Sequence, residues 1–163
     1  MSRVTVAVIC WIFCAYPLFA QHSDDTNDPQ IRISKGIPPP DYAGTPHDVS
    51  GMCHNFFRRI IAGEPDIAFE KILTASPLGN KKAQSEKRLI TFNKAIEVYG
   101  AVRGFEFTGS ESASESLVKV RFITLHEQYP LRWFFTFYKS PSNGWIVINM
   151  AFDDDVEYLF PKN

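Results

Sequence analysis

The spacing of the apolar residues changes at Gly100, and this change constrains the fold more than any other feature of the 163-residue sequence. Before Gly100 the apolar residues recur about every 3.6 positions, as in an amphipathic helix, whereas after it they alternate, as in a strand. Helices followed by strands indicate an α+β domain in which the two kinds of element are segregated, and not an alternating βαβ fold.

Three helices are predicted before Gly100. The first is predicted to begin at Pro46, with Thr45 as a candidate cap. Its apolar stripe consists of Cys53, Phe57, Ile60 and Ile61. A short second helix restarts at Glu64, and a third spans about residues 81–99. Gly100 is the natural terminator of the third helix.

Four strands are predicted in succession after Gly100. They are Val102 to Ser112, Leu117 to Glu127, Leu131 to Tyr138 and Trp145 to Phe152. The connections are short, and Asn143-Gly144 is a strong signal for a tight hairpin. Short connections between consecutive strands force antiparallel pairing, so we expect a four-stranded antiparallel meander.

The last two predicted strands are apolar on both faces. In the third, Phe134 and Tyr138 oppose the row Leu131, Trp133, Phe135 and Phe137. In the fourth, the row Ile146, Ile148, Met150 and Phe152 opposes Trp145, Val147 and Ala151. Three short helices cover only one face of a sheet, so we expect the other face to meet a flexible segment, a bound ligand or a second subunit.

The first twenty residues predict a secretory signal peptide. Arg3 precedes an apolar run from Val4 to Phe19, and Ala20 is the expected last residue before cleavage. An uncleaved membrane anchor is the alternative, but a spanning helix needs about 20 apolar residues. This run is shorter and contains Pro17. We therefore expect export, to the periplasm or the medium, and no stable membrane association once the leader is removed.

Residues 21–44 are polar and then proline-rich, which predicts a flexible linker before a single α+β domain at residues 45–163. Cys53 is the only cysteine after the leader, so it has no intramolecular disulfide partner and is expected to be a buried thiol. The 17 basic and 18 acidic residues give a net charge of −1. This balance provides no electrostatic footprint for nucleic acid.

Three helices followed by a curved antiparallel sheet resemble the nuclear transport factor 2-like superfamily. The resemblance includes the closing strand Gly144-Trp145-Ile146-Val147-Ile148-Asn149-Met150 and the tail from Asp153 to Phe160. The chain is most similar to small exported bacterial members of uncharacterised function. The resemblance implies a cone-shaped fold with a concave cavity between sheet and helices, and a homodimer through the outer sheet face. It does not select a function, because the superfamily contains isomerases, dehydratases, cyclases and non-enzymatic binding domains.

Residues suited to catalysis are scarce. A site of the ketosteroid-isomerase type needs a carboxylate base facing a hydrogen-bond donor across the substrate. The candidate acids are Glu106 and Glu127, and the candidate donors are Tyr99, His126 and Tyr129. Both acids also fit the surface positions of alternating strands. The four histidines and Asp153-Asp154-Asp155 lack the spacing of metal ligands, so we expect no metal and no cofactor.

The sequence therefore favours an exported, non-catalytic domain that forms a homodimer and binds a small apolar ligand or a protein partner. A small isomerase or dehydratase is the alternative, and a structural subunit with a filled cone is a third possibility. Three residues are predicted to contact a ligand: Tyr99, Trp133 and Asn149. Asn149 interrupts an apolar strand, which fits a hydrogen-bonding position at a cavity wall or dimer seam and equally fits a partly exposed strand end.

Overall fold

The computed structural model describes residues 40–160. The predicted signal peptide, residues 1–20, and most of the predicted linker, residues 21–39, lie outside this range. Within it the chain forms an α+β domain with three helices and a curved four-stranded antiparallel sheet, as the sequence predicts. None of the helices within residues 40–160 is long and apolar enough to cross a membrane.

The three helices precede the sheet. They are α1 (His47–Ile61), α2 (Pro65–Ile72) and α3 (Lys82–Tyr99). The predicted capping of α1 by Thr45 is wrong, because the helix begins after Pro46 and no side chain caps it. The buried hydroxyl of Thr45 has no hydrogen-bond partner among the described residues. Gly63 has a φ of +76° between α1 and α2, a backbone conformation that glycine adopts without steric cost.

Four strands form one sheet. They are β1 (Val102–Ser114), β2 (Leu117–His126), β3 (Leu131–Ser140) and β4 (Gly144–Asp153). They lie in the order β1-β2-β3-β4, and each pairs antiparallel with the next, which confirms the predicted meander. The φ of Gly144 is +64°, as expected where an Asn-Gly turn enters a strand. β1 and β4 are the two edges of the sheet.

A bulge in β4 changes which of its side chains face the helices. The pairing with β3 passes from Val147 to Asn149 without using Ile148, which is an extra residue in the strand. Side chains alternate between the two faces along a strand. One extra residue therefore moves the core-facing side chains from odd-numbered to even-numbered positions. The row that packs on the core consists of Trp145 and Val147 before the bulge and Met150 and Phe152 after it. The predicted single row of Ile146, Ile148, Met150 and Phe152 is therefore wrong.

Aromatic side chains fill the space between the helices and the sheet. Trp133 and Phe135 of β3 are fully buried. Their ring centroids lie between 5.3 and 5.9 Å from those of Phe56 and Phe57 of α1, and the rings meet edge to face. Aromatic pairs prefer this arrangement. The region in which the resemblance implies a cavity therefore holds close-packed rings.

The outer face of the sheet, which points away from the helices, is partly covered by the end of the chain itself. A short 3₁₀ helix, Val156–Leu159, follows β4. The guanidinium carbon of Arg132, on the outer face, lies 5.0 Å from the ring centroid of Tyr158. Phe134 is half-buried and Tyr138 is 38% exposed on the same face. A cover was expected here, and the C-terminal segment supplies part of it.

Candidate functional site

Trp133, one of the three predicted ligand contacts, lies in the core. Its ring centroid is 4.7 Å from that of Phe152 and 5.3 Å from that of Phe92. Its indole Nε1 donates a hydrogen bond of 3.0 Å to Oγ1 of Thr124, on the neighbouring strand β2. Side chains of the domain itself therefore hold both the apolar and the polar part of this residue.

Thr124 connects the tryptophan to His126. Thr124 Oγ1 lies 3.1 Å from His126 Nε2, and His126 Nδ1 lies 2.8 Å from the carbonyl oxygen of Gly100. Because that carbonyl can only accept, Nδ1 carries the hydrogen, and Nε2 of the neutral ring accepts from Thr124. Burial lowers the pKa of His126, and the bond to Gly100 raises it by a smaller amount. Burial thus favours a neutral histidine at the end of this chain of hydrogen bonds, which we call the Trp133–His126 relay.

Tyr99, the second predicted contact, lies at the C-terminal end of α3 beside the other two candidate donors. Its ring centroid is 5.7 Å from that of Tyr129 and 6.5 Å from that of His126. Its hydroxyl donates a 2.6 Å hydrogen bond to Oδ2 of Asp154, and this bond is the main cause of the raised pKa of Tyr99. The fold thus brings all three candidate donors to one corner of the surface, where Asp154 is bonded to Tyr99.

The candidate acids Glu106 and Glu127 are not placed to act as the base of an isomerase. Glu106 is exposed on β1, and the carboxylate of Glu127 forms an ion pair with Arg103. A general base must reach its substrate while a donor faces it. Tyr99 and Asp154 are bonded directly to each other, which leaves no space between them for a substrate.

Asn149, the third predicted contact, lies on β4 immediately after the bulge. Its side chain is exposed, and it pairs with Thr136 of β3. It lines an open groove of about 530 Å³ between β4 and α3, whose helical wall includes Lys87 and Arg88. The three predicted contacts therefore lie apart from one another, in the core, at a surface corner and in this groove.

A second open groove, of about 550 Å³, crosses the outer face of the sheet. Its lining residues are Thr108, Arg121, Arg132, Phe134, Tyr158, Leu159 and Phe160. Sequence reasoning did not identify Tyr158 and Phe160 as part of a surface. The available signal was a pair of aromatic residues, two positions apart, that begins three residues after the acidic turn following the last strand.

The two arginines of the outer groove are already paired with carboxylates. Arg121 donates to Glu111, and Arg132 donates through Nε and Nη2 to the two oxygens of Asp153. Arg121 also lies against Gly109, where a Cβ atom would come within 3.2 Å of Nη2. Because each guanidinium has its own carboxylate, the outer groove is not a strong site for anions.

Cys53 is buried on α1, and burial raises the pKa of its thiol. A nucleophilic cysteine needs a lowered pKa and access to its substrate, and Cys53 has neither. Across residues 40–160, no three His, Cys, Asp or Glu side chains are grouped so as to hold a metal ion. The thiol is therefore a structural part of the core, as its place in the apolar stripe of α1 predicts.

Comparisons of the chain with protein-family models, with curated proteins and with solved structures found no match. What the protein does must therefore be inferred from its residues and their arrangement.

Proposed function

We propose that this chain is an exported, non-catalytic binding domain of nuclear transport factor 2-like fold that binds a protein partner through its surface. The observation that carries the proposal is the filled interior. Phe57, Trp133 and Phe135 are fully buried between the helices and the sheet. A domain whose concave side is filled by its own side chains offers its surface for binding.

A small apolar ligand is the less supported of the two binding alternatives. Small-molecule sites bury most of the surface of their ligand. The grooves beside Asn149 and Arg132 are both open to solvent, and Trp133 already has a complete set of partners in the core. These observations favour a partner that covers a surface over a molecule that enters a pocket.

The family part of the proposal rests on element order. Three helices precede a curved antiparallel meander, and the closing strand begins at Gly144-Trp145. Export rests on the apolar run that follows Arg3. Element order thus supports the proposed family, and the apolar run supports the proposed export.

A homodimer through the outer sheet face is also part of the proposal. Phe134 and Tyr138 leave apolar surface beside the C-terminal 3₁₀ helix, and such surface is commonly buried between subunits. We expect sedimentation to give a dimer at micromolar concentration, and Phe134→Glu to give a monomer. Val98→Glu, on an exposed position of α3, is the matched control and should remain a dimer. A wild-type monomer, or two variants that behave alike, contradicts the proposed interface.

The isomerase alternative has less support, because its candidate groups satisfy one another. Tyr99 is bonded to Asp154, and Glu127 to Arg103. Turnover of a ketosteroid by the purified chain, abolished by Tyr99→Phe, would restore this alternative.

Native mass spectrometry of the protein from its natural source tests the filled interior. We expect no apolar small molecule to accompany the folded chain, and no rise in melting temperature with a panel of steroids and fatty acids. A stoichiometric small molecule recovered with the folded protein rejects the proposed mode of binding. The same measurement on Trp133→Ala, whose core contains a new cavity, shows whether a bound probe would be detected.

A further inference from the structure

One edge of the sheet is open along residues 149–152 of β4. β4 pairs with β3 on one side only, because it is the last strand of the sheet. Near its start the edge is closed by Ser76, whose hydroxyl donates to the carbonyl oxygen of Val147. After the bulge, no backbone hydrogen bond from elsewhere in residues 40–160 reaches this stretch. Every second residue there presents its N–H and C=O groups to the groove beside α3.

The opposite edge, β1, is protected in ways that this part of β4 is not. The pairing of β1 with β2 is interrupted by three register shifts, and β1 carries Arg103, Glu106 and Glu111. Bulges and charges of this kind prevent another strand from adding to an edge. Residues 149–152 of β4 contain no bulge, charge or proline. The difference indicates that the β4 edge is free to accept a strand.

The helical wall of the groove carries positive charge. Lys87 and Arg88 of α3 line it together with Gln84 and Thr91. Within residues 40–160 neither Lys87 nor Arg88 forms an ion pair, and Nη1 of Arg88 is buried without a hydrogen-bond partner. A carboxylate in the groove would supply the missing acceptor if the guanidinium turned outward.

From the free edge and the charged wall we propose that an extended peptide segment of a partner protein adds to β4 at residues 149–152 as a fifth strand, with a carboxylate side chain directed to Lys87 and Arg88. Main-chain hydrogen bonds to β4 would provide affinity, and the basic wall would provide the preference for an acidic segment. The inference rests on the proposed function, because it names the chemistry and the position of the protein partner.

A second copy of the chain fits this edge less well. Pairing β4 with β4 would bring two α3 helices, each with Lys87 and Arg88, to the same seam. Like charges placed against each other disfavour an interface. The uncharged edge and the basic wall are instead complementary to an acidic peptide.

The test uses the protein as the cell produces it and two blocked synthetic heptapeptides, Thr-Val-Glu-Val-Glu-Val-Thr and Thr-Val-Lys-Val-Lys-Val-Thr. NMR titration locates binding through the backbone amides. We expect the glutamate peptide to shift the amides of residues 149–152 and of α3 near Lys87, and to bind about tenfold more tightly than the lysine peptide, the effect of two solvent-facing ion pairs. Absence of these shifts, shifts confined to the outer face, or equal binding of both peptides overturns the proposal.

Charge reversal on the wall should remove the preference for the acidic peptide. Lys87→Glu combined with Arg88→Glu is expected to weaken the glutamate peptide by about tenfold. Because Lys87 is exposed, the single variant Lys87→Glu should fold normally, and it should show part of the same loss of affinity for the glutamate peptide. Lys94→Glu is the control, because Lys94 is exposed on α3 and does not line this groove. Equal effects of Lys87→Glu and Lys94→Glu overturn the role of the wall.

Hydrogen exchange of the free protein identifies other occupants of the edge. Protection of the 149–152 amides that is lost on dilution indicates a second copy. Protection that is independent of concentration, but lost when Asp24, Asp25 and Asp28 are replaced by asparagine, indicates the N-terminal acidic segment of the chain itself. Either result overturns the proposal of a partner peptide. If the peptide does not bind at β4 and no small molecule co-purifies with the protein, the β4 site is rejected and the proposed function still stands.

Discussion

Replacement of Thr124 with valine tests whether the Trp133–His126 relay stabilises the domain. The substitution keeps the shape of the side chain and replaces only the hydroxyl with a methyl group. Trp133 Nε1, which donates to that hydroxyl at 3.0 Å, is then left without an acceptor on a fully buried side chain. His126 also loses a partner, but its side chain is only half-buried and water can replace the lost hydrogen bond.

The expected loss follows from these two environments. An unsatisfied buried donor costs about 1–3 kcal/mol, and the added methyl group returns about 0.8 kcal/mol of burial. We expect Thr124→Val to lower the free energy of unfolding by about 0.2–2 kcal/mol, the difference between these two terms. With a urea m-value of about 2 kcal/mol per molar, the midpoint should fall by about 0.1–1 M.

Urea unfolding followed by far-ultraviolet circular dichroism at neutral pH measures this loss. Thr136→Val on β3 is the matched control, because Thr136 is paired with Asn149 and is half-exposed. The control should change stability by less than about 0.5 kcal/mol. A Thr124→Val midpoint equal to that of wild type, at an unchanged m-value, would show that the relay does not stabilise the domain.

Three further predictions concern single residues. Gly109→Ala should lower the free energy of unfolding by about 1–3 kcal/mol, because the φ of Gly109 is +146° and a Cβ there would press on Arg121. Gly63→Ala should cost less, because a Cβ at Gly63 meets no atom within 4 Å. Equal losses for the two variants in urea unfolding would contradict this. Burial lowers the folded-state pKa of His126 below 6.5, so the unfolded chain binds its proton first as pH falls. The urea midpoint should therefore be highest above about pH 6.5 and fall below it, and His126→Gln should reduce that fall. Cys53 should react with a disulfide reagent far more slowly in the native protein than in urea, and rapid native labelling would contradict its burial.

The regular elements could be predicted from sequence because their signals are local. α3 begins within one residue of its predicted start and ends at Tyr99, before Gly100. All four strands begin within one residue of their predicted positions, since alternation and turn residues mark each of them. The bulge at Ile148 has no such signal, because this β-branched residue fits a regular strand as well as a bulged one. Its position depends on the pairing with β3, which a single strand does not reveal.

The candidate site was less predictable, because it depends on contacts between distant residues. A row of aromatic side chains on β3 fits a cavity wall and a filled core equally well, and the rings of Phe56 and Phe57 on α1 decide between them. The bond between Tyr99 and Asp154 joins residues 55 positions apart, and no spacing rule indicates it. The grouping of Tyr99 with His126 and Tyr129 was likewise visible only in the fold.

The meander order of the sheet also determines how the domain can assemble. Each strand pairs with the one synthesised immediately before it, so the chain closes only short loops and loses little entropy at each step. β4 is the last of the four strands along the chain, and it supplies Phe152, whose ring lies 4.7 Å from that of Trp133. The docking of β4 therefore completes the sheet and, through Phe152, covers the tryptophan.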